Sequence, residues 1–157
     1  MKFNINKYML IRDAEIDDLM DVFEWRNDLL SCAMFLINKK VTLEEHERWY
    51  LCNLTNPLTK LYIAVNSDGK IGICRFSYDE LDSYSEVSIN LNPKMRGKNF
   101  SYTFLFNSIK QYQKKYTYGL KAKIKKENNA SIKIFKKCRF FQIAEDDNFY
   151  YFNNNKK

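Results

Sequence analysis

The chain has 157 residues, 45% hydrophobic and 29% charged, which is enough apolar material for one packed domain and too much for wholesale disorder. No run approaches the ~18 apolar residues that cross a bilayer, and no secretory signal is apparent, so a cytoplasmic domain without membrane insertion is expected. The formal charge of +7 is unevenly placed: residues 1–93 carry 10 basic and 15 acidic side chains, a net of −5, whereas 94–157 carry 16 and 4, a net of +12, and a basic half points to an anionic partner.

Tyr8 to Arg12 is short and apolar, a first strand. Asp13 opens a run in which Ile16, Leu19, Met20 and Phe23 share one helical face, ending near Asn27. Thr42, followed by Glu45 three residues on, is a capping box that starts a second helix carrying His46, Trp49 and Tyr50. Leu61 to Val65 and Lys70 to Tyr78 read as a hairpin around a turn in which Gly69 suits a positive φ. Tyr84 to Asn92 alternates, with Val87, Ile89 and Leu91 on one face and Glu86, Ser88 and Asn90 on the other, and Pro93 ends it. Ser101 to Tyr116 is helical. Leu120 to Ile124 is a strand in which the lysines of 121–126 alternate with apolar residues as a solvated face. Ala130 to Lys137 is helical, and Phe140–Ile143 with Phe149–Phe152 close the chain as strands. The order β α α β β β α β α β β predicts one mixed α/β domain over 1–152, with 153–157 a frayed polar tail.

Cys32, Cys52, Cys74 and Cys138 are scattered among apolar neighbours without a CxxC pair, and there is one histidine. No metal site is expected, and the thiols are read as small hydrophobes in a reducing compartment.

The segment from Ser88 through Ile89 and Leu91 to Ser101 carries the most chemical information. A strand ends, a tight Arg96-Gly97-Lys98 loop follows, and a helix begins. A helix start presents free N–H groups and positive potential, so it can cradle a pyrophosphate. This arrangement resembles the GNAT superfamily of N-acetyltransferases, whose loop reads [Gln/Arg]-x-x-Gly-x-[Gly/Ala]. Here it reads Arg96-Gly97-Lys98-Asn99-Phe100-Ser101, with Asn99 and Ser101 at the usual glycine positions. Asn visits the left-handed region readily, and Ser is small and can donate a hydrogen bond. A second stretch, Asn128 to Phe140, resembles the family's Asn-x-x-Ala/Ser segment, with Phe135 in place of a tyrosine that serves as general acid and Arg139 in place of a glycine.

The resemblance implies a mostly antiparallel sheet of about seven strands flanked by about four helices, and acetyl-CoA as co-substrate. Its pantetheine would pair with the backbone of Ser88 to Leu91, a backbone N–H near Ile89 would hold the oxyanion, and Arg96 to Ser101 with Asn128 and Ser131 would hold the phosphates. Trp25, Arg26 and Asn27 closing the first helix, with His46 and Trp49 on the second, resemble the branch that acetylates amino sugars of the pseudaminic acid pathway. On that reading the acceptor is a small amine, carried on a nucleotide-linked amino sugar: a tryptophan face stacks on it and Arg26 pairs with its diphosphate. Glu86 is the first candidate base and His46 the second. A homodimer is left open. Three alternatives are carried: a protein N-terminal or lysine acetyltransferase, a non-catalytic GNAT-like domain, and a nucleic-acid module that the charged half and its aromatic residues would suit. Coenzyme A carries three phosphate groups, so the basic half is accounted for without nucleic acid.

Overall fold

Alternating strands and tight turns produce a seven-stranded sheet in the computed structural model, which describes residues 8–155. The strands are β1 (Leu10–Asp13), β2 (Thr59–Asn66), β3 (Gly69–Asp79), β4 (Tyr84–Leu91), β5 (Gly119–Lys125), β6 (Phe141–Glu145) and β7 (Phe149–Asn153). The helices are α1 (Leu19–Asn27), α2 (Leu29–Met34), α3 (Leu43–Thr55), α4 (Phe100–Gln113) and α5 (Asn129–Lys137). The spatial order is β1-β2-β3-β4-β5-β7-β6, and every neighbouring pair is antiparallel except β4 with β5. The β2–β3 turn closes on Asn66 opposite Gly69, whose φ of 118° is open to glycine.

The sheet separates two layers. Tyr62, Cys74, Phe76, Val87, Leu120 and Phe152 pack with Phe104, Tyr112 and Phe135 of α4 and α5. Leu61, Ile63 and Ile73 pack with Leu19, Val22, Trp25 and Tyr50 of α1 and α3. Side chains that alternate along β2 and β3 therefore feed opposite layers.

Five local expectations change. The run from Asp13 to Asn27 is not one helix: a single 3-10 turn at Ile16–Asp18, held by reciprocal bonds between Glu15 and Asp18, precedes α1. An extra helix, α2, follows at once because Asp28 turns extended (φ −59°, ψ 140°) and its carboxylate accepts from the Ser31 amide 3.1 Å away. Cys52 lies exposed, whereas Cys32 and Cys74 are buried. The lysine face of β5 is not uniformly solvated, since Lys125 is 6% exposed. Asn153 ends β7, and Asn154, just past it, exchanges hydrogen bonds with Leu120, so the start of the tail is tied to the sheet. Residues 156–157 and 1–7 lie outside the described residues.

Candidate active site

The parallel pairing of β4 with β5 is brief. Tyr84, Ser85 and Glu86 sit opposite Gly119, Leu120 and Lys121, and beyond them the ladder stops although both strands continue. From Val87 to Leu91, β4 is paired only with β3. The strands therefore diverge into a slot whose β4 wall offers backbone donors and acceptors to an extended ligand arm, in the manner of an added strand.

At the end of that wall, Asn92 caps a 3-10 turn at Pro93–Met95, and the chain then bends through Gly97 (φ 73°) and Asn99 (φ 61°) into α4. The left-handed conformation expected of Asn99 is present. Asn99 makes no side-chain capping bond, so the first amides of α4 are without that acceptor. A Cβ at Gly97 would meet nothing within 4 Å, and Lys98 is exposed beside it. Free amides, helix potential, open space and a cation suit a pyrophosphate. Phe100 and Ser101, the first residues of α4, are half-buried. Arg96 is otherwise engaged: its guanidinium pairs with Asp28 at 2.7 Å and donates to Ser31 Oγ at 2.7 Å, which directs it away from a purely phosphate role.

Asn128 caps α5, its Oδ1 accepting from the Ser131 amide at 3.1 Å, which commits that oxygen to the protein. Phe135 is 2% exposed and lies edge-on to Phe140, so no acid stands at that position. Arg139 has φ 65°; its amide reaches the Lys136 carbonyl and the Phe140 amide the Phe135 carbonyl. That is a Schellman ending, a position that suits a glycine.

The opposite end of the β4–β5 pair opens toward the α1–α3 side of the sheet. Arg75, Ser77, Glu86 and Lys121, with Leu58 and the Tyr78–Leu81 turn, line an open groove of ≈ 540 Å³. Arg75 Nη2 lies 3.3 Å from Glu86 Oε1, and Arg75 Nε is buried without a partner. Lys121 pairs with Asp79 at 3.5 Å and also with Asp82. Glu86 is thus a half-exposed carboxylate at the point where the two strands part, beside a cation with unused donors.

The other acceptor-side residues behave differently from expectation. Trp25 is 4% exposed, because α1 turns positions 22 and 25 to the same inner face, and it packs in the core. His46 is 3% exposed; its Nε2 lies 3.1 Å from the Leu19 carbonyl, and its ring meets Phe23, Trp49 and Tyr50. Burial pushes its pKa down, and a ring so enclosed does not reach a substrate proton, so His46 is a packing residue. Asn27 clips Val41 through both of its amide atoms (2.8 and 2.9 Å). Arg26 stacks over Phe35 at 4.1 Å and donates to the Ile37 carbonyl at 3.3 Å. Trp49 alone of these keeps an accessible ring, at 38% exposure. Sequence reasoning passed over Arg75, whose position opposite Ser88 is fixed by the β3–β4 register. A basic residue inside an apolar strand was the signal that could have found it.

The chain matches the acetyltransferase (GNAT) domain family over residues 9–140. It is 30% identical over 133 residues to the acetyltransferase PseH of Campylobacter jejuni, covering 83% of this chain and 81% of that protein. The structure of a spermidine N-acetyltransferase from Vibrio cholerae in complex with CoA and spermine superposes with a TM-score of 0.83 at 14% identity, over 94% of this chain and 95% of that one. An N-acetyltransferase from Staphylococcus aureus Mu50 superposes with a TM-score of 0.77 at 21% identity, over 94% and 98%. At those identities the structural likeness is one of fold.

Proposed function

The chain belongs to the GNAT acetyltransferase family and is an acetyl-CoA-dependent N-acetyltransferase; we propose that its acceptor is the primary amine of a nucleotide-linked amino sugar. The observation that carries this reading is the 30% identity to acetyltransferase PseH, which spans both halves of the chain and agrees with the amino-sugar branch that the 25–49 segment resembles. The groove supports it. A sugar-sized acceptor has a cation at Arg75 for a phosphate and a carboxylate at Glu86 for the amine.

When bound, acetyl-CoA supplies an acetyl thioester. The chain's own groups then have three tasks. The Glu86 carboxylate, directly or through one water, takes the proton that an amine must lose before it attacks. A backbone N–H near Ile89, on the wall of β4 that has no β5 partner, donates to the carbonyl oxygen as negative charge grows there. The α4 start, with Gly97, Lys98, Asn99 and Ser101, holds the phosphates, and Asn128 and Ser131 at the start of α5 flank them.

Glu86→Gln, assayed with a nucleotide-linked amino sugar, is expected to lower kcat/KM by on the order of 10²–10⁴. Wild-type rates at every pH would remove Glu86 as the base. Parallel assays with spermidine and with peptide amino termini test the acceptor. A kcat/KM for either above that of the amino sugar would overturn the proposed substrate class and leave the acetyltransferase standing.

A further inference from the structure

The divergence of β4 from β5 raises a mechanical question: what holds the two strands at a working separation once their ladder has ended. The segment 28–38, comprising Asp28, α2 and the four residues after it, touches both. On the β4 side Ser31 Oγ donates to Asn90 Oδ1 at 3.0 Å and accepts from Arg96 at 2.7 Å. Arg96 also pairs with Asp28 at 2.7 Å. On the β5 side Lys125 Nζ donates to the Ala33 carbonyl at 2.8 Å and to Asn38 Oδ1. Ser31 and Ala33 are two residues apart, so the anchors are separated by only about 3 Å along the helix axis. One turn of α2 therefore spans the gap between the strands.

Lys125 is a costly residue to place there. It is 6% exposed, and among the described residues its ammonium has no carboxylate partner, only two neutral oxygens. A buried ammonium used for packing alone would be better replaced by an apolar side chain. Among the described residues the ammonium's hydrogen bonds run to the strap, which makes restraint of the strap its specific contribution. Arg26 of α1 braces the same segment by stacking over its Phe35 and donating to its Ile37 carbonyl.

We propose that residues 28–38 form a strap that sets the width of the donor slot, with Lys125 and Asn38 as positioning residues on the β5 side and Ser31 on the β4 side. The proposal rests on the donor arm lying between β4 and β5, and it is independent of which amine is the acceptor. A slot of fixed width lets the ligand arm dock without first ordering the walls, a cost that would otherwise be drawn from its affinity.

The test is calorimetric titration of coenzyme A into the full-length protein and into Lys125→Met and Asn38→Ala, with amide hydrogen exchange read on 28–38 and 88–91. Asn38 is exposed, so its removal leaves the core whole, and it is neutral, so any effect is not a loss of charge near phosphates. Lys125→Met is expected to weaken coenzyme A roughly tenfold and Asn38→Ala roughly threefold, with faster exchange across 28–38 in both. The double variant is expected to bind no worse than Lys125→Met, since both act on one clamp. Coenzyme A affinities within twofold of wild type, or a loosened strap with unchanged binding, would overturn the strap while 88–91 stays protected by ligand in the wild type. If 88–91 gains no protection in the wild type, the donor slot falls and this proposal with it.

Discussion

The two layers on either side of the sheet are built on different terms. The layer under α4 and α5 is mostly apolar: Phe76 stacks on Tyr112 at 4.2 Å, Phe104, Leu105, Leu120 and Phe152 are fully buried, and the buried polar groups are hydroxyls, Ser108 and the Ser85–Tyr112 pair. The layer under α1 to α3 buries Trp25, Tyr50 and Ile63 but also Asp18, Ser31, His46 and Lys125, each tied to named partners. Area burial is non-directional and tolerates repacking, whereas buried polar groups are committed to particular atoms. The first layer gives the domain its stability, and the second fixes where the groove and the slot lie.

Two variants test that contrast, and a third sets its scale. Phe104→Ala, in the apolar layer, is expected to cost about 3–5 kcal/mol, read by urea unfolding, because a large ring leaves a site closed on all sides. A cost below about 1 kcal/mol would mean that this layer collapses freely and is not the anchor. Asp18→Asn, in the polar layer, is expected to cost about 2 kcal/mol, since it leaves Arg12 and Lys70 without their shared carboxylate while both remain partly in water. The loss should also depend on pH. Burial alone would raise the Asp18 carboxyl, but hydrogen bonds from Arg12, Lys70 and the Glu15 amide outweigh it and hold the group below the ordinary carboxylate range. A depressed folded pKa stabilises in full above the unfolded value of ~3.9, and that contribution is lost progressively as pH falls from there toward the folded value. Thermal midpoints of wild type and variant should therefore converge below about pH 4, and a constant gap down to pH 2 would contradict the assignment. The smallest effect belongs to neither layer: Arg139→Gly, relieving a left-handed side chain at the end of α5, should gain about 1 kcal/mol in the same urea experiment.

The caps, the turns and the strands were legible because their signals are local. Thr42 and Glu45 form their capping box at 3.2 and 2.8 Å, Asn99 takes the left-handed turn, and the seven strands follow period-two alternation and turn residues. The acceptor side was misread where one residue serves two elements. Asp28 ends α1 and caps α2, so a six-residue helix with exposed Leu29 and Leu30 offered no amphipathic pattern to find. Lys125 and Trp25 failed for a related reason. Alternation tells which side of a strand a residue takes, and a helical face tells what it shares, but only the placement of α2 and α3 decides whether that side meets water. His46 was marked for its titration range, and its burial against Leu19 depends on a contact 27 residues away in sequence.

The short β4–β5 ladder has a further meaning when set against the charge split of the chain. It joins a segment of net −5 to one of net +12, and the chain passes from one to the other between β4 and α4. Around that junction Arg75 and Glu86 pair within the acidic segment, and three pairs run between the segments: Lys121 with Asp79 and Asp82, and Arg96 with Asp28. Part of the basic excess thus has its counter-ion within the same molecule. The two halves hold together as an acidic body and a basic one would, and added salt screens the exposed part of that cohesion.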